Sequence, residues 1–174
     1  GLGQSEWAIA LFQKAIETNL PMVVDADALN LLSKNPQHHD NWVLTPHPGE
    51  AARLLGCSSE EIQADRFAAV YELQRRYGGV VVLKGSGTLI SNGEAPTRLS
   101  TWGNPGMGSG GMGDVLAGVI GGLLAQHFPI MDAACVGVTL HGMAADKAAE
   151  LDGERGTLAM DLMPHLRRLA NLIY

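Results

Sequence analysis

Cysteine, basic charge and long apolar runs are all scarce in this 174-residue chain. The two cysteines, Cys57 and Cys135, stand far apart in no metal-ligand spacing, which suits reduced thiols in a cytoplasmic protein. Twelve Lys and Arg against eighteen Asp and Glu give a formal net charge of -6 and a pI near 5.4. That balance lacks the basic footprint of phosphate-backbone binding, so nucleic acid is not an expected partner, and any anion must be gripped locally. No basic-then-apolar leader precedes residue 20, and no run of about 18 apolar residues occurs, so neither secretion nor a membrane span is expected. The apolar segment 115–125 is too short and glycine-rich to span. No internal repeat, low-complexity tract or linker interrupts the chain, and residues 1–174 read as one domain. With 46% hydrophobic and 17% charged residues, such a domain can bury a sizeable core.

Helical and extended patterns alternate along it. Residues 5–18, "SEWAIALFQKAIET", open with a Ser N-cap candidate and place Ile9, Phe12, Ala15 and Ile16 at helical spacing. "PMVVD" (21–25), "WVLT" (42–45) and "VVVLK" (80–84) are short apolar runs that read as buried strands. Pro48 and Gly56 bracket a short helix, and Ser58 with Glu61 forms a capping-box start for a helix reaching Tyr77. "TLIS" and "APTRLS" flank Asn92-Gly93, a two-residue hairpin signal. Helices are expected over roughly 112–126, 132–150 and 159–172. Apolar strands separated by helices imply a mainly parallel sheet covered on both faces, an α/β layered domain. Ligands in such sheets collect beyond the carboxyl ends of the strands, so Asp25, Asp27, the 45–50 turn and Lys84 are expected to converge on one edge.

The most unusual stretch is "GNPGMGSGGMGD" (103–114), with six glycines before Asp114. A plain reading is a surface loop in which Asp114 complements a helix dipole. Gly106, Gly108 and Gly111 formally match G-x-G-x-x-G, but the segment before them is a hairpin arm and Asp132 opens a helix, which is the wrong context for a dinucleotide fold. No Gly-Lys-Ser/Thr closes the run, which excludes a Walker A loop. What remains is an anion cradle at Gly110, Gly111, Met112 and Gly113, with backbone N–H groups and a helix N-terminus converging on one concavity. Asp114 in the first turn can then orient a hydroxyl and take its proton during phosphoryl transfer.

"GNPGMGSGGMGDVLAG", together with "TPHPGE" and "KGSGT" in that family's order, resembles the NAD(P)H-hydrate dehydratase family of the ribokinase-like superfamily. The resemblance runs from "GLG" to the last helix and covers what looks like a C-terminal portion of the family domain. It implies a ribokinase-like α/β/α domain that restores hydrated NADH or NADPH with ADP or ATP and Mg2+. It also implies a homo-oligomer, in many bacteria fused behind an epimerase domain.

Carried over residue by residue, the resemblance makes Gly3, His47 and Asp114 substrate contacts. Lys84, Gly85, Ser86, Gly87, Thr88 and Gly113 become nucleotide contacts, and Asp114 the catalytic carboxylate. Glu50 falls where related kinases organise magnesium through water, although His47 replaces the Asn of their Asn-x-x-Glu motif. Each residue has a plainer reading: His47 as a capping residue, Glu50 as a favourable first-turn acid, 84–88 as a tight turn. Asp27 reads as a helix N-cap and Asp25 as a supporting group behind the site. Cys135 and His141 read as core, and Met107 and Met112 as packing under the glycine loop. The reaction implied is phosphorylation of the hydrate hydroxyl followed by elimination of phosphate. The rival readings are a vitamin-precursor or sugar kinase of the same superfamily, and a nucleotide-binding fragment without turnover.

Overall fold

A computed structural model describes residues 1–94 and 96–171. Helix α1 (Glu6–Glu17) starts at Ser5, whose hydroxyl accepts the Ala8 N–H, and it buries Ala8, Phe12 and Ile16. Phe12 and Ile16 of the expected stripe are buried, but Ala8 takes the place of Ile9, which is 45% exposed, and Ala15 is exposed. Strand β1 (Met22–Val24) leads to α2 (Asp27–Lys34), and β2 (Trp42–Leu44) leads to α3 (Pro48–Leu55). The expected helix from Ser58 to Tyr77 is broken into α4 (Ser59–Ala64) and α5 (Arg66–Tyr77). Asp65 breaks it by adopting φ -145° and accepting the Ala68 N–H, which diverts the backbone from helix continuation.

Strand β3 (Val80–Leu83) is followed by β4 (Thr88–Ser91) and β5 (Arg98–Ser100). The order across the sheet is β1-β2-β3-β4-β5, with β1, β2 and β3 parallel and β4 and β5 antiparallel. The β4–β5 connection is not a two-residue turn at Asn92-Gly93, because Ile90 pairs with Arg98. Ser91 Oγ and Asn92 Oδ1 accept the Gly93 and Glu94 N–H groups, forming local side-chain turns that open a wider loop. Ala95 of the expected strand "APTRLS" lies outside the described residues. The remaining helices are α6 (Met112–Ala125), α7 (Ile130–Asp152) and α8 (Leu162–Ala170), the last preceded by a 3-10 turn at Ala159–Asp161. Position 172, the expected end of that helix, also lies outside the described residues. Among the described residues, no helix is long and apolar enough to cross a membrane.

Alternation along the strands builds the layers. Trp42, Leu44, Val81, Leu83 and Leu89 join a core with α1, α2, α3 and α5, while Val43, Val80, Val82 and Ile90 join another with α6 and α7. The sheet is thus covered on both faces, which explains why its strands read as unbroken apolar runs. A third cluster packs Met112 with Ala144, Ala145 and α8. The polar tips of two large buried aromatics are satisfied: the Tyr77 hydroxyl donates to Leu54 O at 2.7 Å, and Trp42 Nε1 donates to Tyr77 O at 3.0 Å. The result is a layered α/β/α architecture with one mainly parallel central sheet.

Candidate active site

The carboxyl ends of the three parallel strands are tied together. Thr45 N donates to Val24 O at 3.1 Å, and Lys84 N donates to Pro46 O at 2.9 Å. Just beyond them, Lys84 Nζ lies 2.9 Å from Asp25 Oδ1 and 3.7 Å from Glu50 Oε2. Two carboxylates share one ammonium, and all three side chains are largely buried. Here the expected convergence of Asp25, Glu50 and Lys84 is met, but Asp27 departs from it. Residue Ala26, with φ 49°, occupies the N-cap of α2, and the Asp27 carboxylate accepts the Gly3 N–H at 2.8 Å. Asp27 is therefore an anchor for the 1–3 segment rather than a helix cap.

His47 caps α3. Its Nδ1 accepts from Gly49 N at 3.0 Å and Glu50 N at 3.4 Å, while Glu50 Oε2 accepts from His47 N at 2.8 Å. This reciprocal capping box consumes the Nδ1 lone pair and fixes the buried Glu50 beneath Lys84. His47 itself is half exposed and lines an open cavity.

The opposite wall is the glycine segment. Asp146 of α7 accepts from Gly103 N at 3.0 Å and from Asn104 Nδ2 at 2.9 Å, and Asn104 Oδ1 accepts from Gly106 N at 3.0 Å. The backbone at Trp102 runs so close to α7 that a Cβ at Gly142 would stand 2.9 Å from the Trp102 carbonyl. Residues 105–108 form a 3-10 turn, and Gly111 then enters α6 with φ 89° and no side-chain cap. The first N–H groups of α6 are left for a ligand or water. A Cβ on Gly113 would lie 3.4 Å from both Asp25 Oδ2 and Lys84 Nζ, so the helix N-terminus sits directly against the ion pair. An anion held there would meet the positive helix end and the ammonium together. Met107 and the buried Met112 pack in the third core cluster, as expected for residues supporting the loop.

These walls enclose about 750 Å³ lined by residues 47–48, 84–88, 101–105, 107–109, 112–113 and His141. Lys84, Gly85, Ser86, Gly87, Thr88, Met112, Gly113 and His47 thus come together, with Glu50 beneath. Asp114 is exposed in the first turn of α6 and, among the described residues, has no hydrogen-bond or ion-pair partner. Gly110, Gly111, Asp114 and Gly3 do not line the cavity. Sequence reasoning missed Thr101, Trp102, Asn104 and Asp146. Only Asn104 carried a signal, since Asn-Pro-Gly is turn chemistry. His141 is indeed buried, at 6% exposure, yet it also lines the cavity. Burial pushes its pKa down to about 4, against the opposing effect of the Met112 backbone and with some help from the Lys84 charge. Among the described residues, the buried His141 Nε2 has no hydrogen-bond partner.

Among the described residues, no group of three or more His, Cys, Asp or Glu could by itself hold a metal ion. The oxygen donors available, Asp25 and Glu50, suit a hard cation that keeps most of its water and rides on phosphate oxygens.

A family model described as NAD(P)H-hydrate dehydratase matches residues 1–168. The bifunctional NAD(P)H-hydrate repair enzyme Nnr of Coxiella burnetii is 57% identical over 171 residues, which make up 98% of this chain and 35% of that protein. The ADP-dependent (S)-NAD(P)H-hydrate dehydratase of Neisseria meningitidis is 43% identical over 182 residues, covering 99% of this chain and 62% of the relative. Among solved structures, the ADP/ATP-dependent NAD(P)H-hydrate dehydratase of Bacillus subtilis, co-crystallized with ATP and Mg2+, superposes with a TM-score of 0.82. Its identity is 32%, over 93% of this chain and 60% of that one. The chain thus spans about a third of the bifunctional relatives and under two thirds of the dehydratases.

Proposed function

Because the chain belongs to the NAD(P)H-hydrate dehydratase family, we propose that it carries the nucleotide-handling part of a site that dehydrates (S)-NAD(P)H-hydrate with ADP or ATP. The observation that supports this most is the meeting of the 84–88 turn, Gly113 and the uncapped N-terminus of α6 around one cavity. Residues 84–88 hold the adenine nucleotide, while the α6 N-terminus and neighbouring glycine amides of 110–113 take its transferable phosphoryl group. Glu50, with Asp25 beside it, would hold the water shell of the magnesium ion, which neutralises phosphate charge when bound. His47 and Gly3 are assigned to the hydrate.

Asp114 orients the hydrate hydroxyl on the carbon next to the ring nitrogen and accepts its proton as that oxygen attacks the terminal phosphorus. The oxygen–phosphorus bond to the shortened nucleotide breaks, and the hydroxyl becomes a phosphate ester. The ring nitrogen lone pair then expels phosphate, and loss of a proton from the adjacent ring carbon restores the dihydronicotinamide. The partners of this reading are therefore the hydrate and an adenine nucleotide, in a cytoplasmic homo-oligomer whose full-length chain carries a second, epimerase domain.

The test supplies hydrated NADH, Mg2+ and ADP or ATP to the chain, and to the longer protein containing it, and follows the return of dihydronicotinamide absorbance. Nucleotide-dependent recovery that falls about 10²- to 10⁴-fold in D114N is expected, the usual contribution of a positioned general base. Recovery without nucleotide, or an unaffected D114N variant, overturns the assignment. Accumulation of a stable phosphorylated product identifies a kinase instead.

A further inference from the structure

The structure assigns to Arg66 the task of turning the 84–88 loop so that its amides face a bound nucleotide, a positioning role that rests on the reading above. Arg66 opens α5, directly after the Asp65 break. Its Nη1 donates to Ser86 O at 2.6 Å, and its Nη2 donates to Leu83 O at 3.1 Å and Lys84 O at 3.5 Å. Among the described residues, no carboxylate pairs with this guanidinium, so its charge is spent on backbone dipoles of one loop. Burial lowers its pKa from the usual arginine range, and its buried Nε has no partner among the described residues.

A trans peptide holds its N–H opposite its C=O. When the carbonyls of residues 84 and 86 turn to Arg66, the amides of Gly85 and Gly87 turn away from it. Among the described residues, neither amide has an acceptor, and residues 84–88 line the cavity. Two donors are thus presented toward the place where acceptor oxygens of a nucleotide would lie. The loop pays for this alignment in side chains: Gly85 has φ 149°, and a Cβ there would stand 3.0 Å from Arg66 Nη2, while Gly87 has φ 70°. Arginine suits the task because its planar fork reaches separated carbonyls at once, which a lysine ammonium cannot do.

The experiment titrates ADP with Mg2+ into the wild type, R66A, R66K and D65A, and measures amide hydrogen exchange over residues 83–88 without ligand. D65A removes the cap of α5 but leaves the guanidinium in place, so it separates loop positioning from loss of the helix start. R66A is expected to weaken ADP at least about tenfold, in line with losing charge-assisted hydrogen bonds, and to speed exchange in 83–88. R66K, which keeps the aliphatic stem and charge, is expected to recover part of the affinity, and D65A to retain it within about twofold. R66A binding within about twofold of wild type, or an equal loss in D65A, overturns the proposal. A wild type that takes no ADP overturns the functional reading instead, and exchange then decides for Arg66: unchanged rates in R66A overturn its role as well.

Discussion

The two walls of the cavity hold charge by different means. On the strand side, charge is carried by side chains: Lys84 is shared between Asp25 and Glu50, and Glu50 is itself locked by the His47 cap. On the glycine side, the donors are backbone N–H groups, oriented by Asp146, Asn104 and the left-handed turn at Gly111. Side-chain charge is strong but must be neutralised when buried, whereas backbone dipoles carry no net charge and need only the right dihedral angles. A chain of net charge -6 can therefore present an anion site without a basic patch.

Removing the ammonium should break the strand wall. K84A leaves Asp25 and Glu50 buried against each other without their cation, and we expect a loss of about 3–5 kcal/mol in urea unfolding. Adding D25A to K84A should restore part of that loss, which marks the effect as charge rather than lost packing. A K84A cost under about 1 kcal/mol would mean that water reaches these carboxylates and that the walls do not differ as described.

His141, buried yet lining the same cavity, sharpens the comparison through pH. Its pKa is about 4 when folded, against an ordinary 6.5, so between those values the unfolded chain binds the extra proton. Stability should be complete above pH 6.5 and decline as pH falls toward 4, by about 3 kcal/mol in all. H141Q should flatten that part of the stability profile, and an unchanged slope would show that other groups cause it. The smallest effect belongs to the glycine wall. G111A forces a side chain into φ 89° and places its Cβ 3.2 Å from the Ala159 Cβ, so about 1–2 kcal/mol of destabilisation is expected by thermal unfolding.

What could be read in the sequence follows the range of the forces involved. The segments 45–50, 84–88 and 103–114 were legible because caps, tight turns and glycine dihedrals are decided within a few residues. The same locality misled at Asn92-Gly93, where a hairpin dipeptide is present but neighbouring Ser91 and Asn92 side chains take the turn amides. It also hid the break at Asp65, whose surroundings read as continuous helix. The pairs Asp25–Lys84 and Asn104–Asp146, separated by 59 and 42 positions, left no local trace. Neither did the reach of Arg66 to the 83–86 carbonyls.

The sequence by itself determined the layered α/β class, the strands with two buried faces, and the glycine-rich helix entry, since each follows from hydrophobic period and backbone sterics. Only the tertiary structure decided which charges meet, which carboxylate anchors the glycine loop, and how the 84–88 amides are aimed. Those contacts join distant elements whose mutual distances are set by packing around the sheet, and packing depends on the whole core rather than on any one segment.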